Sequence, residues 1–219
     1  MHTERARIKV NLRQSRPFVA FSYIFRGLQM HTAGDRILSE TKLEDNYLGI
    51  LRVEAILNGA QVTRTLIEHP SGSVVLAYDP DRKVAAVLRQ TRLPVLRAGD
   101  QPLREPAAGA QEDGESPEET AIRECLEETG IQLKVVESIG EVWMDPASST
   151  ERSYIFLGSY SQRDRVQSGG GKAGENEEVD LREECLEDLW RAVEAGEPMY
   201  ANMLICLQAL RLRRPDLFG

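Results

Sequence analysis

Cysteine is scarce, and the three that occur, Cys125, Cys185 and Cys206, form neither a CxxC pair nor an even framework. This excludes a disulfide-stapled secreted fold and points to a reducing, cytoplasmic setting with buried thiols. Histidine is equally sparse: His2, His31 and His69 are scattered without metal spacing, which argues against zinc chemistry. Long apolar runs are missing too, and the one near the start, residues 19–25, is too short for a membrane span. Basic residues are outnumbered, 27 Lys and Arg against 35 Asp and Glu, for a formal net charge of −8. A surface of that sign gains nothing from a phosphate backbone, so nucleic-acid binding is not expected. A small anionic substrate stays open if cations neutralise its site.

The 219 residues allow one to two domains with a real core. Residues 1–34 stand apart: Arg5, Arg7, Lys9, Arg13, Arg16 and Arg26 face a single acid, Glu4. That leader reads either as a transit peptide or as an overextended start, MHT recurring at Met30-His31-Thr32, and is expected to be poorly ordered and not catalytic. Strand-like runs follow at residues 47–57, 62–68, 74–78 and 84–89, with Asn58-Gly59 as a hairpin signal. More strands are expected at 133–136, 139–144 and 154–160, and helices at 186–194 and 201–213. The one low-complexity patch is Ser168-Gly169-Gly170-Gly171.

The most informative stretch is GAQEDGESPEETAIRECLEETGI, residues 109–131. Ser116, Pro117 and Glu119 make an N-cap, a first-turn proline and a capping box, and Gly130 supplies a left-handed stop. In the helix between them Ile122, Cys125 and Leu126 share one side, while Glu124, Glu127 and Glu128 share the other. Like charges at that spacing cost about 0.2–0.5 kcal/mol per pair, little enough for a merely solvated acidic face. Glu115, a glycine-bearing loop (Ala107, Ala108, Gly109, Gly114) and Arg123, placed to reach back to Glu119 or forward to Glu127, point instead to a cation. Clustered carboxylates suit a hard divalent ion such as Mg²⁺.

These residues resemble the Nudix box, G-x5-E-x7-R-E-U-x-E-E-x-G-U. Gly109, Glu115 and the run from Arg123 to Ile131 fill each fixed position, Cys125 standing where a larger apolar residue is usual. The resemblance implies an α+β Nudix fold, an α/β/α sandwich around a mixed sheet. It also implies an N-terminal antiparallel β-subdomain over residues 35–68 serving dimerisation, with the hydrolase domain over 69–219. Glu105-Pro106-Ala107-Ala108-Gly109 is similar to the E-x-P-A-G lead-in of ADP-ribose pyrophosphatases, and Pro146 sits where that subfamily carries a proline. The segment from Asp145 to Arg152 resembles its S-P-G-x-x-x-E-R loop, departing at Asp145 and Ala147. Gly174 to Val179 resembles its E-N-E-D-I stretch, and the glycines before it look closer to a GDP-mannose pyrophosphatase branch.

On this resemblance the chain is a Mg²⁺-dependent pyrophosphatase (Mn²⁺ being a second candidate ion) acting on ADP-ribose or on GDP-mannose, and a homodimer. Glu124 and Glu128, helped by the Ala108 carbonyl, would hold the metal, with Glu127 sharing it and Glu177 approaching from the late loop. Glu175 would be the general base, a role that Glu177 can exchange with it. Arg123 reads as an organiser of these acids, and Glu115 and Gly109 as its support. Arg92, Arg64 and Glu151 are candidates for substrate phosphates and sugar, with Pro146 beside them. Tyr47 would stack on the purine, unless it is surface only. The alternative is a Nudix-like sensor that holds ADP-ribose without cleaving it.

Overall fold

The computed structural model describes residues 34–45, 48–170 and 179–219. The basic leader, Tyr47 and the loop acids Glu175 and Glu177 lie outside the described residues. Three strands, β1 (Arg36–Asp45), β2 (Gly49–Leu57) and β3 (Ala60–Glu68), form an antiparallel sheet in that order. The β2–β3 turn is Asn58-Gly59, with φ of 51° and 77°, the left-handed pair whose twist matches the flanking strands. These strands span 10, 9 and 9 residues. What the sheet lacks is an opposing layer: among the described residues no helix packs broadly on it.

The second sheet is mixed. Strands β4 (Gly72–Asp79), β5 (Val84–Arg89), β6 (Ala107–Ala110), β7 (Glu137–Trp143), β8 (Arg152–Ser159) and β9 (Asp180–Cys185) run in the order β7-β8-β4-β5-β9, with β6 on β4. β4 and β8 are parallel and the other pairs antiparallel. β4 and β5 pair only beside their turn and then diverge, and residues 105–110 fill the wedge. Glu105 bridges to Leu88 of β5, and β6 pairs with the start of β4. Earlier in the chain, between β5 and this segment, lies a short exposed helix, α1 (Leu93–Ala98), closed by Gly99 at φ 85°.

Helices cover both faces. Val74, Leu76 and Tyr78 meet Leu186 and Leu189 of α3 (Leu186–Glu194) and Met203, Leu207 and Leu210 of α4 (Ala201–Arg213). Val75, Ala77, Ala86 and Phe156 meet Ala121 and Cys125 of α2 (Pro117–Thr129). The result is the expected α/β/α sandwich, and α3 and α4 have the predicted limits. The two sheets are tied where Ile67 of β3 donates to Ser148 O at 2.7 Å and accepts from Thr150 N at 3.0 Å.

Two expectations fail. No strand forms at 133–136: Leu133 plugs the space over Gly158, where an added Cβ would stand 2.5 Å from Leu133 Cδ1, and Gln132 N–H donates to Asp164 O at 2.8 Å. Cys185 is exposed, so only Cys125 and Cys206 are buried thiols; burial pushes both of these up to about 12.

Candidate active site

Helix α2 begins and ends as its sequence dictates. Ser116 N–H donates to Glu119 at 2.8 Å, Glu119 N–H donates to Ser116 Oγ at 3.2 Å, and Gly130 closes the helix at φ 72°. Such a cap is worth about 1 kcal/mol. Its faces do not divide as predicted, because Glu128 shares the buried side with Ala121 and Cys125 and is only 9% exposed. The three lie at i, i+4 and i+7, one stripe of a 3.6-residue helix, so an acid occupies a core position.

The stripe faces β6. Glu128 accepts a hydrogen bond from the Ala108 N–H at 2.9 Å. Burial nonetheless pushes its carboxyl up to about 8; the Ala108 N–H and Arg92 oppose this, and the nearby charges of Glu124 and Glu105 add to it. In an antiparallel ladder a residue turns its N–H and C=O to the same side. With its N–H given to Glu128, Ala108 therefore presents its carbonyl on the Glu128 side as well. One residue on, the Glu124 carboxylate occupies space that only glycine leaves open: a Cβ on Gly109 would stand 1.9 Å from Glu124 Oε1.

Arg123 holds the acids in register, and most of its side chain is buried. Its guanidinium donates to Glu115 at 2.7 and 2.9 Å, to Glu124 at 2.6 Å, to the Ala110 carbonyl at 3.1 Å and to Glu127 at 3.4 Å. The expected partner Glu119 is not used, because its carboxylate is committed to Ser116. Glu115 is drawn down to about 2 by Arg123 and by the Glu112 N–H, and it also accepts from Thr120 Oγ1 at 2.9 Å.

Hard oxygen donors on Glu124, Glu128 and Ala108, with Glu127 beside them, fit a divalent cation in kind. Among the described residues no three His, Cys, Asp or Glu side chains already converge as a metal group. The Arg123–Glu124 pair accounts for part of that, since it takes up one carboxylate.

The remaining candidates fall in three places. Arg92 forks onto the buried carboxylate of Glu105, Nη2 to Oε2 at 2.7 Å, and both act on Glu128. Glu151 leads into β8, its N–H bound to Ser149 Oγ at 3.1 Å, and with Glu105 and Arg92 it acts electrostatically on Tyr200 at the start of α4. Pro146 is exposed at the tip of a turn that Asp145 braces, its side chain accepting from Ala147 N at 3.3 Å and from Ser148 Oγ. Asp145 thus does the capping that the departure from Ser allows. Arg64 lies elsewhere: exposed on β3, it bonds to the Thr63 carbonyl and meets none of these residues. Glu105 and Tyr200 were missed as site residues. Glu105 had a signal, its place in the lead-in to Gly109; Tyr200 had none.

Known proteins resemble this chain in sequence and in fold. The NUDIX domain family matches residues 68–203. The GDP-mannose pyrophosphatase of Enterobacter sp. (strain 638) is 30% identical over 183 residues, 80% of this chain and 94% of that protein. The ADP-ribose pyrophosphatase of Escherichia coli (strain K12) is 32% identical over 160 residues, 72% of this chain and 75% of that one. The crystal structure of an ADP compounds hydrolase covers 84% of this chain and 95% of its own at a TM-score of 0.67 and 15% identity, a likeness of fold. With a family match over more than half its length and a relative of this identity covered almost end to end, the chain belongs to the NUDIX family.

Proposed function

We propose that this chain is a Mg²⁺-dependent nucleoside diphosphate sugar pyrophosphatase. It would hydrolyse ADP-ribose to AMP and ribose 5-phosphate, or the related GDP-mannose to GMP and mannose 1-phosphate. The observation that carries the reading is the buried Glu128 beside Glu124 on the Ala108-Gly109 backbone, an arrangement of acids that costs stability unless a cation enters it. The names of the pyrophosphatase relatives support the substrate class.

Two linked phosphates repel an incoming oxygen nucleophile. Bound Mg²⁺ supplies the positive charge that offsets this repulsion, and Mn²⁺ is the natural substitute. Glu124, Glu128 and the Ala108 carbonyl hold it, with Glu127 and the loop acid Glu177 completing the set. Arg123 and Glu115 keep those carboxylates oriented. Glu175 takes the proton of the attacking water. Arg92, anchored by Glu105, and Glu151 with Pro146 address the phosphates and terminal sugar. Arg64 belongs to the three-stranded sheet, so its role in substrate binding, and that of Tyr47, goes with a homodimer in which each sheet serves the partner's site. Three free cysteines suit a reducing, cytoplasmic setting. No helix among the described residues is long and apolar enough to cross a membrane.

The test is product identification after incubation with Mg²⁺ and a panel of ADP-ribose, GDP-mannose, ADP-glucose, NADH and diadenosine polyphosphates. Glu128→Gln should cut turnover by orders of magnitude while the protein stays folded. Normal turnover in that variant would remove the assigned metal role, and tight ADP-ribose binding without product in the native protein would replace catalysis by sensing.

A further inference from the structure

Glu127 and Glu128 stand in the last turn of α2, where backbone carbonyls have no partner within the helix and the end frays first. Here the Leu126 carbonyl accepts from the Gly130 N–H at 2.9 Å, and a segment some forty positions away in sequence supplies it with a second donor and gives the Glu128 carbonyl its partner. The Gln167 side-chain amide donates to Leu126 O at 2.9 Å, and the Gly170 N–H donates to Glu128 O at 2.9 Å. Val166 N–H donates to Gly130 O at 2.9 Å, and an antiparallel bridge between Ile131 and Arg165 sets the register.

The approach is too close for side chains on either strand of the contact. A Cβ on Gly130 would stand 2.0 Å from Gln167 O, and one on Gly169 would stand 2.6 Å from Glu128 O. Both glycines also hold left-handed φ, 72° and 71°. Backbone therefore lies directly on backbone at the end of the helix that carries the acids. Gln167 itself is exposed, so its amide serves the Leu126 carbonyl without filling any core.

We propose that residues 167–170 are a positioning latch for Glu127 and Glu128, fixing the last turn of α2 so that both carboxylates meet the divalent cation without a prior ordering step. The inference rests on the metal-binding reading above. The latch atoms bond to the backbone of α2, so these are positioning residues and not catalytic ones. A turn left free to fray presents the same two acids with lower occupancy, which weakens the cation and leaves the chemistry intact once the cation is bound.

The experiment titrates Mg²⁺ by calorimetry into metal-free native protein, Gln167→Ala, Gly169→Ala and Glu128→Gln, with circular dichroism to establish that each is folded. Affinity for Mg²⁺ should fall about tenfold in Gln167→Ala, the size usual for residues that orient metal ligands. In Gly169→Ala it should fall further. Turnover at saturating Mg²⁺ should return close to native in Gln167→Ala, and Gln167→Lys, which keeps a donor for the Leu126 carbonyl, should restore affinity where Gln167→Leu does not. Native Mg²⁺ affinity in folded Gln167→Ala, with affinity lost in Glu128→Gln, overturns the latch alone. Native affinity in Glu128→Gln overturns the metal reading and the latch together. Should Gly169→Ala fail to fold, the Gln167 series decides the matter by itself.

Discussion

The Glu124 carboxylate rests on the open face of Gly109, where an added Cβ would meet Oε1 at 1.9 Å and Cδ at 2.1 Å. Gly109 has no left-handed φ, so what the position needs is space and not backbone freedom. Gly109→Ala should therefore leave β6 paired with β4 while pushing Glu124 off its place. We expect turnover to fall about 100-fold, the scale of an ångström-sized misplacement in a reacting site. Steady-state kinetics beside a thermal melt checks this; a large drop in melting temperature would mean that the strand had given way instead.

Arg123 binds Glu115 with two nitrogens and Glu124 and Glu127 with a third, a division that depends on the planar fork of a guanidinium. A lysine keeps the charge and loses the fork. Arg123→Lys should lose at least tenfold in turnover and, because the group is mostly buried, about 1–2 kcal/mol in stability. Urea unfolding measures the second quantity, and equal stability of the two proteins would show that charge alone suffices.

Glu128 makes metal-free stability depend on pH. Its folded value, about 8, lies above the ordinary carboxyl value of 4.5, so between these limits the folded protein holds a proton that the unfolded chain has lost. Stability from this group is thus full below about 4.5 and declines as pH rises towards 8. A cation needs the carboxylate, so binding releases that proton, and Mg²⁺ affinity should climb with pH up to about 8. Melting curves from pH 5 to 9 with and without Mg²⁺ should diverge as pH rises, and Glu128→Gln should flatten the metal-free curve. Identical slopes with and without Mg²⁺ would separate Glu128 from the cation.

What the sequence revealed was mostly local. The limits of α2 follow from Ser116, Pro117, Glu119 and Gly130, and the hairpin from Asn58-Gly59, because caps and tight turns are settled by neighbours within a few positions. The burial of Glu128 was hidden, since an acid interrupts the apolar stripe of Ala121 and Cys125 and only β6 gives it a partner. β6 itself, AAGA, carries no strand pattern and exists because β4 and β5 diverge around it. The run at 133–136 misled in the opposite sense: its apolar residues look like a strand, yet Leu133 serves as a plug over Gly158. Arg123 chose Glu115 over the nearer Glu119 because the capping box had already claimed the latter.

The three-stranded sheet supplies the last prediction. Leu51, Val53, Ala55 and Leu57 alternate along β2, so they share one face. The strand register puts Ile37, Val62, Arg64 and Leu66 on that face beside them. Val53 and Ala55 in the middle of that face are buried, while Ile37 is 61% exposed and Leu57 39% exposed at its edge, apolar surface of the kind a partner covers. A second copy laid across it by a two-fold axis would bury these residues and carry Arg64 towards the partner. Light scattering at micromolar concentration should give twice the chain mass of 24.6 kDa. Ile37→Glu with Leu57→Glu should yield a folded single chain, because both side chains are already exposed, and its activity should drop with the dimer. Arg64→Ala should stay dimeric and raise KM with little change in kcat. A native protein that scatters as one chain while fully active would refute the arrangement, since Arg64 meets none of the other candidate site residues within its own chain.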